Sequence, residues 1–572
     1  MTSKEFEYVV KTAAQFKKSL LILSLIQLPL ALATIWTAFL IKSIIDSITA
    51  KNAAQGAVGY VTIFILLIIT QSLVQLFSTK YGLKLKTDLA NGIQLKLMAH
   101  IQKLEFKHLQ QQHGGKLLTL LTSDVENISA TISDQLPKLV KSVVICVGAS
   151  IAISLIYPPF LLLLILFIPV AFLYNKLYGR KMKKIHIDVQ EKENHFRTYV
   201  LDILGNLAVI KAFGNYEIWL QRLSEKQSIR TEASINKAML SNVVTTIMSI
   251  GGYLVFVFIL FFGAEMVRSG AITFGILISF IQLVSYSTNS IRGIAAVSGG
   301  FASCLGSALR LLTIIDLANE PEGQMPNITG GVGVRFQDVT FGYHGGNGDS
   351  IEGNVLTDTN LEIFPYETVG IVGVSGVGKS TIANLIMSFY KPQSGQVLFT
   401  LEHAASESGD SSAVTAFEAC QKARRIISYV PQGNTLMTGT IKENVLVGAP
   451  NASSIEIRKA IELAGMEEIY EWTEGVDTVL GEKGTRLSAG QAQRICLARA
   501  FIRDANVLIL DEATSSLDVE TEMKIISRIN DHMKDRTKII ITHRMEALQY
   551  CDKILLVSEN GQIKSATYEM IN

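Results

Sequence analysis

The sequence lacks the features that announce a small secreted protein or a nucleic-acid binder. Its five cysteines, Cys146, Cys304, Cys420, Cys496 and Cys551, are scattered through 572 residues with no C-x-x-C pair, which speaks against a disulfide framework and against a zinc site. Charge of one sign is missing as well. The 52 basic and 50 acidic residues leave a net charge of +2, and the basic residues cluster beside apolar runs instead of forming a stripe, so nucleic acid is not expected as a partner. The N-terminus has lysines but no cleavage-site pattern, and its apolar stretch outlasts a signal-peptide core, so it reads as a retained membrane helix. No ionisable residue lies inside the long apolar runs. Proton and ion relays usually need one, so transport driven by an ion gradient loses support.

Hydrophobic sequence, by contrast, is abundant at 48%, and its distribution divides the chain. Charge-free runs long enough to cross the ~20-residue thickness of a bilayer predict helices at about 20–41, 57–79, 137–157, 159–179, 240–264 and 269–291. The run Ser142 to Asn175 is too long for one span, and Pro158-Pro159 divides it into two. The charged stretches 80–141 and 176–237 keep a helical rhythm and predict helices that continue well beyond the membrane. Lysine and arginine crowd these stretches and the N-terminus, which places both termini in the cytosol of a multi-pass protein of the cell (inner or plasma) membrane. Residues 1–317 therefore read as an all-α membrane domain of six helices with long cytosolic extensions. A linker at 318–331, with Pro321, Pro326 and Gly330-Gly331, leads to a second domain at 332–572, where apolar runs alternate with helical patterns as in an α/β fold with a parallel sheet.

The chemistry is concentrated in that second domain. Gly373, Gly378, Lys379 and Ser380 fill every fixed position of the phosphate-loop pattern G-x-x-x-x-G-K-[ST], between the apolar run Thr368 to Val372 and the helical run Ile382 to Tyr390. Small residues there, Ser375 and Gly376 among them, let backbone N–H groups close around phosphates. The helix start adds its dipole, with Thr381 in the first turn, while Lys379 reaches the outer phosphates and Ser380 can hold Mg²⁺. Further on, the apolar run from Asn506 ends in Asp511-Glu512. A carboxylate at a strand end can hold Mg²⁺, and its neighbour can activate a hydrolytic water, so Asp511 suits the first role and Glu512 the second.

Between these two motifs lies Leu487-Ser488-Ala489-Gly490-Gln491, followed by Gln493-Arg494 and Ala498-Arg499-Ala500. With it, nearly the whole chain resembles an ATP-binding cassette (ABC) transporter of the exporter type: a half-transporter of six membrane helices followed by one P-loop ATPase domain. That resemblance implies ATP and Mg²⁺ as cofactors, Tyr343 stacked on adenine, Gln432 as the Q-loop residue at the metal and the water, Asp518 in the D-loop, and His543 as the switch histidine. Leu487, Ser488, Ala489, Gly490 and Gln491 would contact nucleotide bound to a second chain. Gly115 to Ile128 and Val209 to Phe213 with Glu217 resemble the exporter segments that flank the coupling helices.

The resemblance further implies ATP-driven export, by alternating access, of a peptide, lipid, drug-like or siderophore-like molecule across or between the leaflets of the membrane. Because all the catalytic motifs occur in one chain, a homodimer is favoured over a heterodimer with a second half-transporter. Two departures stand out. Ala489 replaces the commoner glycine, and Leu401 to Lys422 does not match the usual short connection before the Q-loop. A soluble ATPase, an ATP-gated channel and an importer are the rival readings. The six spans oppose the first, and the fusion order opposes the last.

Overall fold

The structure, a computed structural model, describes residues 3–49, 54–112, 114–156, 182, 184–185, 188–328, 330–343, 353–374, 376–402, 416–558 and 561–568. It divides into two compact units, Met1–Ala99 with Gly114–Asp316, and His100–His113 with Leu317–Asn572. The short segment 100–113, which lies within the stretch assigned above to the membrane domain, thus clusters with the second unit.

The first unit is helical. It comprises α1 (Ser3–Gln15), α2 (Lys17–Thr49) and α3 (Ala54–Ile101), of which the last enters the second unit at its final residues. The chain leaves this unit through α4 (Phe106–Gln111) and returns at α5 (Gly114–Thr119). Then come α6 (Val125–Ala130), α7 (Leu136–Ile156), α8 (Leu207–Phe213), α9 (Tyr216–Arg268) and α10 (Phe274–Ile315). Five helices among the described residues are long and apolar enough to cross a membrane. The expected span 159–179 and the Pro158-Pro159 turn lie outside the described residues. α3 alone has 48 residues, about 72 Å at 1.5 Å per residue, more than twice a hydrocarbon core of ~30 Å.

Inside this unit α2, α7 and α10 pack on Ile35, Ala38, Ala149, Ile153, Phe280 and Leu283. Polar side chains bind the helices to one another. Gln27 Nε2 donates to Ser78 Oγ at 2.8 Å and Gln71 Nε2 to Thr34 Oγ1 at 3.0 Å, joining α2 and α3, and Thr37 Oγ1 of α2 lies 3.0 Å from Tyr286 Oη of α10. With no water in the bilayer, such groups must find partners within the protein.

The second unit holds two sheets of consequence. Strands β1 (Val332–Phe341), β2 (Leu356–Ile363), β4 (Ser394–Leu401) and β5 (Ala416–Glu418) form an antiparallel sheet in the order β2-β1-β4-β5. The other sheet contains β3 (Thr368–Val372), β6 (Ile427–Val430), β9 (Val507–Asp511), β10 (Thr537–Ile541), β11 (Lys553–Val557) and β12 (Ile563–Ala566). Its order is β12-β11-β3-β10-β9-β6, parallel except for β12. The intervening β7 (Gly439–Thr440) and β8 (Val479–Leu480) make a small pair of their own. All five residues of β9 and of β10 are buried, which explains why they read as continuous apolar runs and not as alternating ones. The order β3-β10-β9 brings the C-terminal ends of three strands side by side, where ligand sites of open α/β sheets form.

The helix after β3 is α11 (Lys379–Ile386), shorter at its end than the sequence suggested. Ser388 takes a left-handed φ of +53° and the Phe389 N–H returns to the Asn384 carbonyl at 2.9 Å. Phe389 and Tyr390 thereby leave the helix and turn toward other rings. The remaining helices are α12 (Ile441–Leu446), α13 (Ser454–Leu463), α14 (Ala489–Phe501), α15 (Val519–His532) and α16 (Met545–Leu548).

Candidate functional site

The loop after β3 is shaped by glycine. Gly376 and Gly378 have φ of +85° and +108°, and a Cβ on Gly378 would meet Val355 Cγ1 at 2.6 Å, so the turn demands glycine on both conformational and steric grounds. Helix α11 begins at Lys379, whose buried ammonium donates to the carbonyls of Gly373 at 2.8 Å and Val374 at 3.0 Å. Its charge is thus folded back across the loop. Ser375 lies outside the described residues.

Two acids from the end of β9 complete this corner. Asp511 is 2% exposed, with Ser380 Oγ donating to Oδ1 at 3.1 Å and Tyr429 Oη to Oδ2 at 3.4 Å. Burial raises its pKa above the usual aspartate range, against the lowering effect of the Ser380 bond. Glu512 takes a left-handed φ of +47°, a conformation that costs about 1–3 kcal/mol for a residue with a side chain. Its N–H donates to the Ile541 carbonyl at 3.0 Å, and its Oε2 accepts from Gln432 Nε2 at 2.6 Å. Asp511, Glu512 and Gln432 therefore stand together at the end of β9. An alcohol, a carboxylate and an amide carbonyl are hard oxygen donors suited to Mg²⁺. Among the described residues no group of three or more His, Cys, Asp and Glu forms a cage.

Tyr343 follows β1. Its Oη lies 3.0 Å from Thr381 Oγ1, and its ring stands edge-on to Phe341 and Tyr390 with centroids 5.1 and 5.3 Å away. His543 is exposed just beyond β10.

Leu487 to Gln491 stand elsewhere in the unit, at the start of α14. Ser488 caps this helix through a reciprocal box with Gln491, with bonds of 3.2 and 3.0 Å. Ser488 and Ala489 are exposed. Gly490 lies against the next loop, where an added Cβ would sit 3.3 Å from Leu517 Cδ2 and 3.4 Å from the Ser516 carbonyl. The Ala489 methyl has open space and Gly490 has little, so the departure from glycine falls where a methyl is tolerated.

The structure adds residues that sequence reasoning missed. Arg544 donates to the carbonyls of Leu517 at 2.8 Å and Ser515 at 3.0 Å and to Glu522 Oε2 at 2.6 Å. Glu522, 1% exposed, also accepts from Thr514 Oγ1 at 2.5 Å. This buried pair holds the loop 514–518, at whose end Asp518 caps α15 by accepting from the Thr521 N–H at 2.9 Å. Gln493 contributes too, accepting from the Ser516 N–H at 2.8 Å. Arg544 adjoins the candidate histidine, and Gln493 belongs to the Gln493-Arg494 pair that carries part of the resemblance, but the sequence assigns neither of them this loop.

Two family models match the chain, the ABC transporter transmembrane region over residues 20–291 and the ABC transporter over residues 356–515. A fatty acid ABC transporter ATP-binding/permease protein of Mycobacterium bovis is 30% identical over 86% of this chain and 74% of its own length. An ATP-dependent lipid A-core flippase of Syntrophus aciditrophicus is 27% identical over 93% of this chain and 86% of its own. Among solved structures, a bacterial Atm1-family ABC exporter with ATP bound superposes with a TM-score of 0.82 at 21% identity, over 97% of this chain and 96% of that one, which speaks for the fold.

Proposed function

The chain belongs to the ABC transporter family and carries its transmembrane region and its ATPase domain in one polypeptide, and from that premise we propose that two copies pair to export an amphipathic, acyl-bearing substrate driven by ATP hydrolysis. ATPase-coupled transport of the exporter type by a multi-pass membrane protein is the level common to its relatives. The pairing, the roles of the site residues and the substrate class go beyond that level.

The observation that carries the reading is the division of the site. Lys379, Ser380, Asp511, Gln432 and Glu512 gather at the strand ends, whereas Ser488 and Ala489 are exposed at the start of a different helix. A helix N-terminus presenting backbone N–H groups suits phosphate. Two chains facing each other would let the 487–491 segment of one close over the phosphate loop of the other, with Asp518 near the seam. All the needed parts occur in this chain, so a symmetric homodimer is sufficient.

Within each site Gly373 to Thr381 supplies backbone donors, Lys379 contacts the outer phosphates, and the Tyr343 ring offers a face to adenine. Ser380, Asp511 and Gln432 would hold Mg²⁺, which neutralises charge on the phosphates. Glu512, oriented by Gln432, accepts the proton of the attacking water, and His543 donates to the terminal phosphate. Nucleotide-dependent closing and opening of the pair shifts the membrane domains between two populations, with the ATPase domain and both termini on the cytoplasmic side.

Glu512→Gln is expected to retain ATP binding and lose about 10²–10⁴-fold in steady-state phosphate release; unchanged turnover would remove Glu512 from its role. The substrate class rests on the names of the two relatives above, and ATPase stimulation in lipid discs tests it. Stimulation by fatty acids or lipids supports the class, and stimulation confined to peptides overturns it.

A further inference from the structure

We propose that Tyr429 is a positioning residue for the carboxylate of Asp511, and that its phenol is set in turn by a stack of rings beginning at Phe106 on α4. The inference rests on the reading of Asp511 as a holder of Mg²⁺ and adds residues that no sequence motif marks.

The two oxygens of Asp511 have different partners, Ser380 on Oδ1 at 3.1 Å and Tyr429 on Oδ2 at 3.4 Å. Two donors on opposite oxygens fix the plane of a carboxylate, which one donor leaves free to rotate. The second bond is long, so its contribution lies in orientation more than in strength. Strand register explains how Tyr429 reaches this position. β6 runs parallel to β9 with Tyr429 opposite Ile509 and Val430 opposite Leu510, which leaves the phenol near the end of β9 where Asp511 stands. A phenol, with an ordinary pKa of about 10, is protonated at neutral pH and can donate.

The ring itself is held from the far side. Phe389 meets Tyr429 at a centroid distance of 6.4 Å and 65°, and Phe106 stacks on Phe389 at 4.6 Å and 23°. Arg424 covers Phe389 at 4.7 Å and is anchored to the carbonyls of Met387 at 2.8 Å and Ser388 at 2.9 Å and to the Glu320 carboxylate. A second branch leaves the same helix. Phe106 stands edge-on to Tyr390 at 5.8 Å, the Tyr390 hydroxyl donates to Gln110, and the Tyr390 ring lies 5.3 Å from Tyr343. The segment 100–113 is a member of the ATPase unit, and its one large ring touches a route to each end of the nucleotide site. Offset and edge-on ring pairs attract beyond the area they bury, which biases the side chains that form them. Early departure of Phe389 and Tyr390 from α11 makes both contacts available.

Ordinary core packing would also place aromatic rings together, so the test must read the metal and not stability alone. The full chain in lipid discs is titrated with Mn²⁺, followed by electron paramagnetic resonance, in the presence of ATP; ATP affinity is measured separately in EDTA. Asp511→Asn should lose Mn²⁺ binding about 100-fold or more, Tyr429→Phe should weaken it about threefold to tenfold, and Phe106→Leu about twofold to threefold, with ATP affinity in EDTA within about twofold throughout. The double variant Tyr429→Phe/Phe106→Leu should match Tyr429→Phe alone, because the stack acts through the phenol. Unchanged Mn²⁺ affinity in Tyr429→Phe alongside loss in Asp511→Asn overturns the positioning role and leaves the Asp511 reading intact. Unchanged affinity in Asp511→Asn overturns that reading itself. Full additivity of Tyr429→Phe and Phe106→Leu overturns the stack.

Discussion

The strand β9 and the helix α9 are both apolar through much of their length, yet the fold treats them in opposite ways. Every residue of β9 is buried, whereas only 6% of the apolar window of α9 is buried and Tyr253, Leu254 and Phe261 are 70%, 66% and 72% exposed. Within the span that opens α10, by contrast, it is a hydroxyl that is enclosed: Ser279 is fully buried and its Oγ donates to the Ile276 carbonyl at 2.9 Å. What differs is the solvent. Apolar surface facing lipid gains nothing from burial, so a membrane helix keeps its interior for groups that need hydrogen bonds. In water the same apolar surface drives the core together.

The sharpest way to break this comparison is to remove one large apolar side chain from each region. Ile509→Ala in β9 is expected to cost about 2–5 kcal/mol, because the lost transfer energy is joined by a cavity in a site with no room to relax. Phe261→Ala on α9 in lipid discs should cost under about 1 kcal/mol, since lipid fills the space. Thermal unfolding of the two variants measures both. Equal losses would mean that Phe261 faces protein in the assembled state.

A smaller effect separates the regions through charge. Asp124, 3% exposed, pairs with Arg310 in the membrane unit, where Arg310 Nε donates to Oδ2 at 3.0 Å and its Nη2 approaches Ser307 Oγ at 3.2 Å. Asp124→Asn leaves the guanidinium without its counter-charge. Because Arg310 is half exposed, the loss should be about 1–2 kcal/mol, below the 3–5 kcal/mol of a fully buried pair. Glu362→Gln at the Arg335–Glu362 pair of β1 and β2, where both side chains keep about a third of their surface exposed, should cost less than about 1 kcal/mol. Denaturation midpoints that reverse this order would show that charge pairing does not follow burial here.

These contrasts also explain what was legible in the sequence. Gly378 and Lys379 could be read because a phosphate loop fixes residue type at each step through backbone conformation and chain direction. Asp511 and Glu512 could be read because a buried strand that ends in two adjacent acids must bring those charges out where a counter-ion or water meets them, and the phosphate loop supplies such a place. Tyr429, Phe106 and Arg544 could not. Their roles depend on strand order, on where α11 stops and on which loop comes near, and these are tertiary facts with no local spacing. In the membrane unit, charge-free length predicts crossing helices, but it says nothing of which glutamine meets which hydroxyl. Gln27 and Gln71 each join α2 to α3, pairings that only the packed helices reveal.

The smallest effect concerns Asp518, an exposed acid whose pKa is lowered chiefly by the bond from the Thr521 backbone N–H. An acid with a depressed folded-state pKa adds stability that is fully present above its unfolded value, ~3.9 for aspartate, and that is lost as pH falls through the folded value. Asparagine caps a helix about as well as aspartate but does not titrate, so Asp518→Asn keeps the bond and removes only the charge. In lipid discs the variant should melt slightly below the parent protein at pH 7, and the gap should narrow as pH drops below about 4. A gap that widens with acid would mean that the carboxylate is repelled by its surroundings in the folded chain. Because the cap also sets the end of the 514–518 loop, the same pair of proteins compared for ATPase rate at pH 7 separates the contribution of Asp518 to its own helix from any contribution across the seam of a dimer. A rate unchanged within about twofold assigns it to the helix, and a larger loss at nearly equal melting temperature assigns it to the partner.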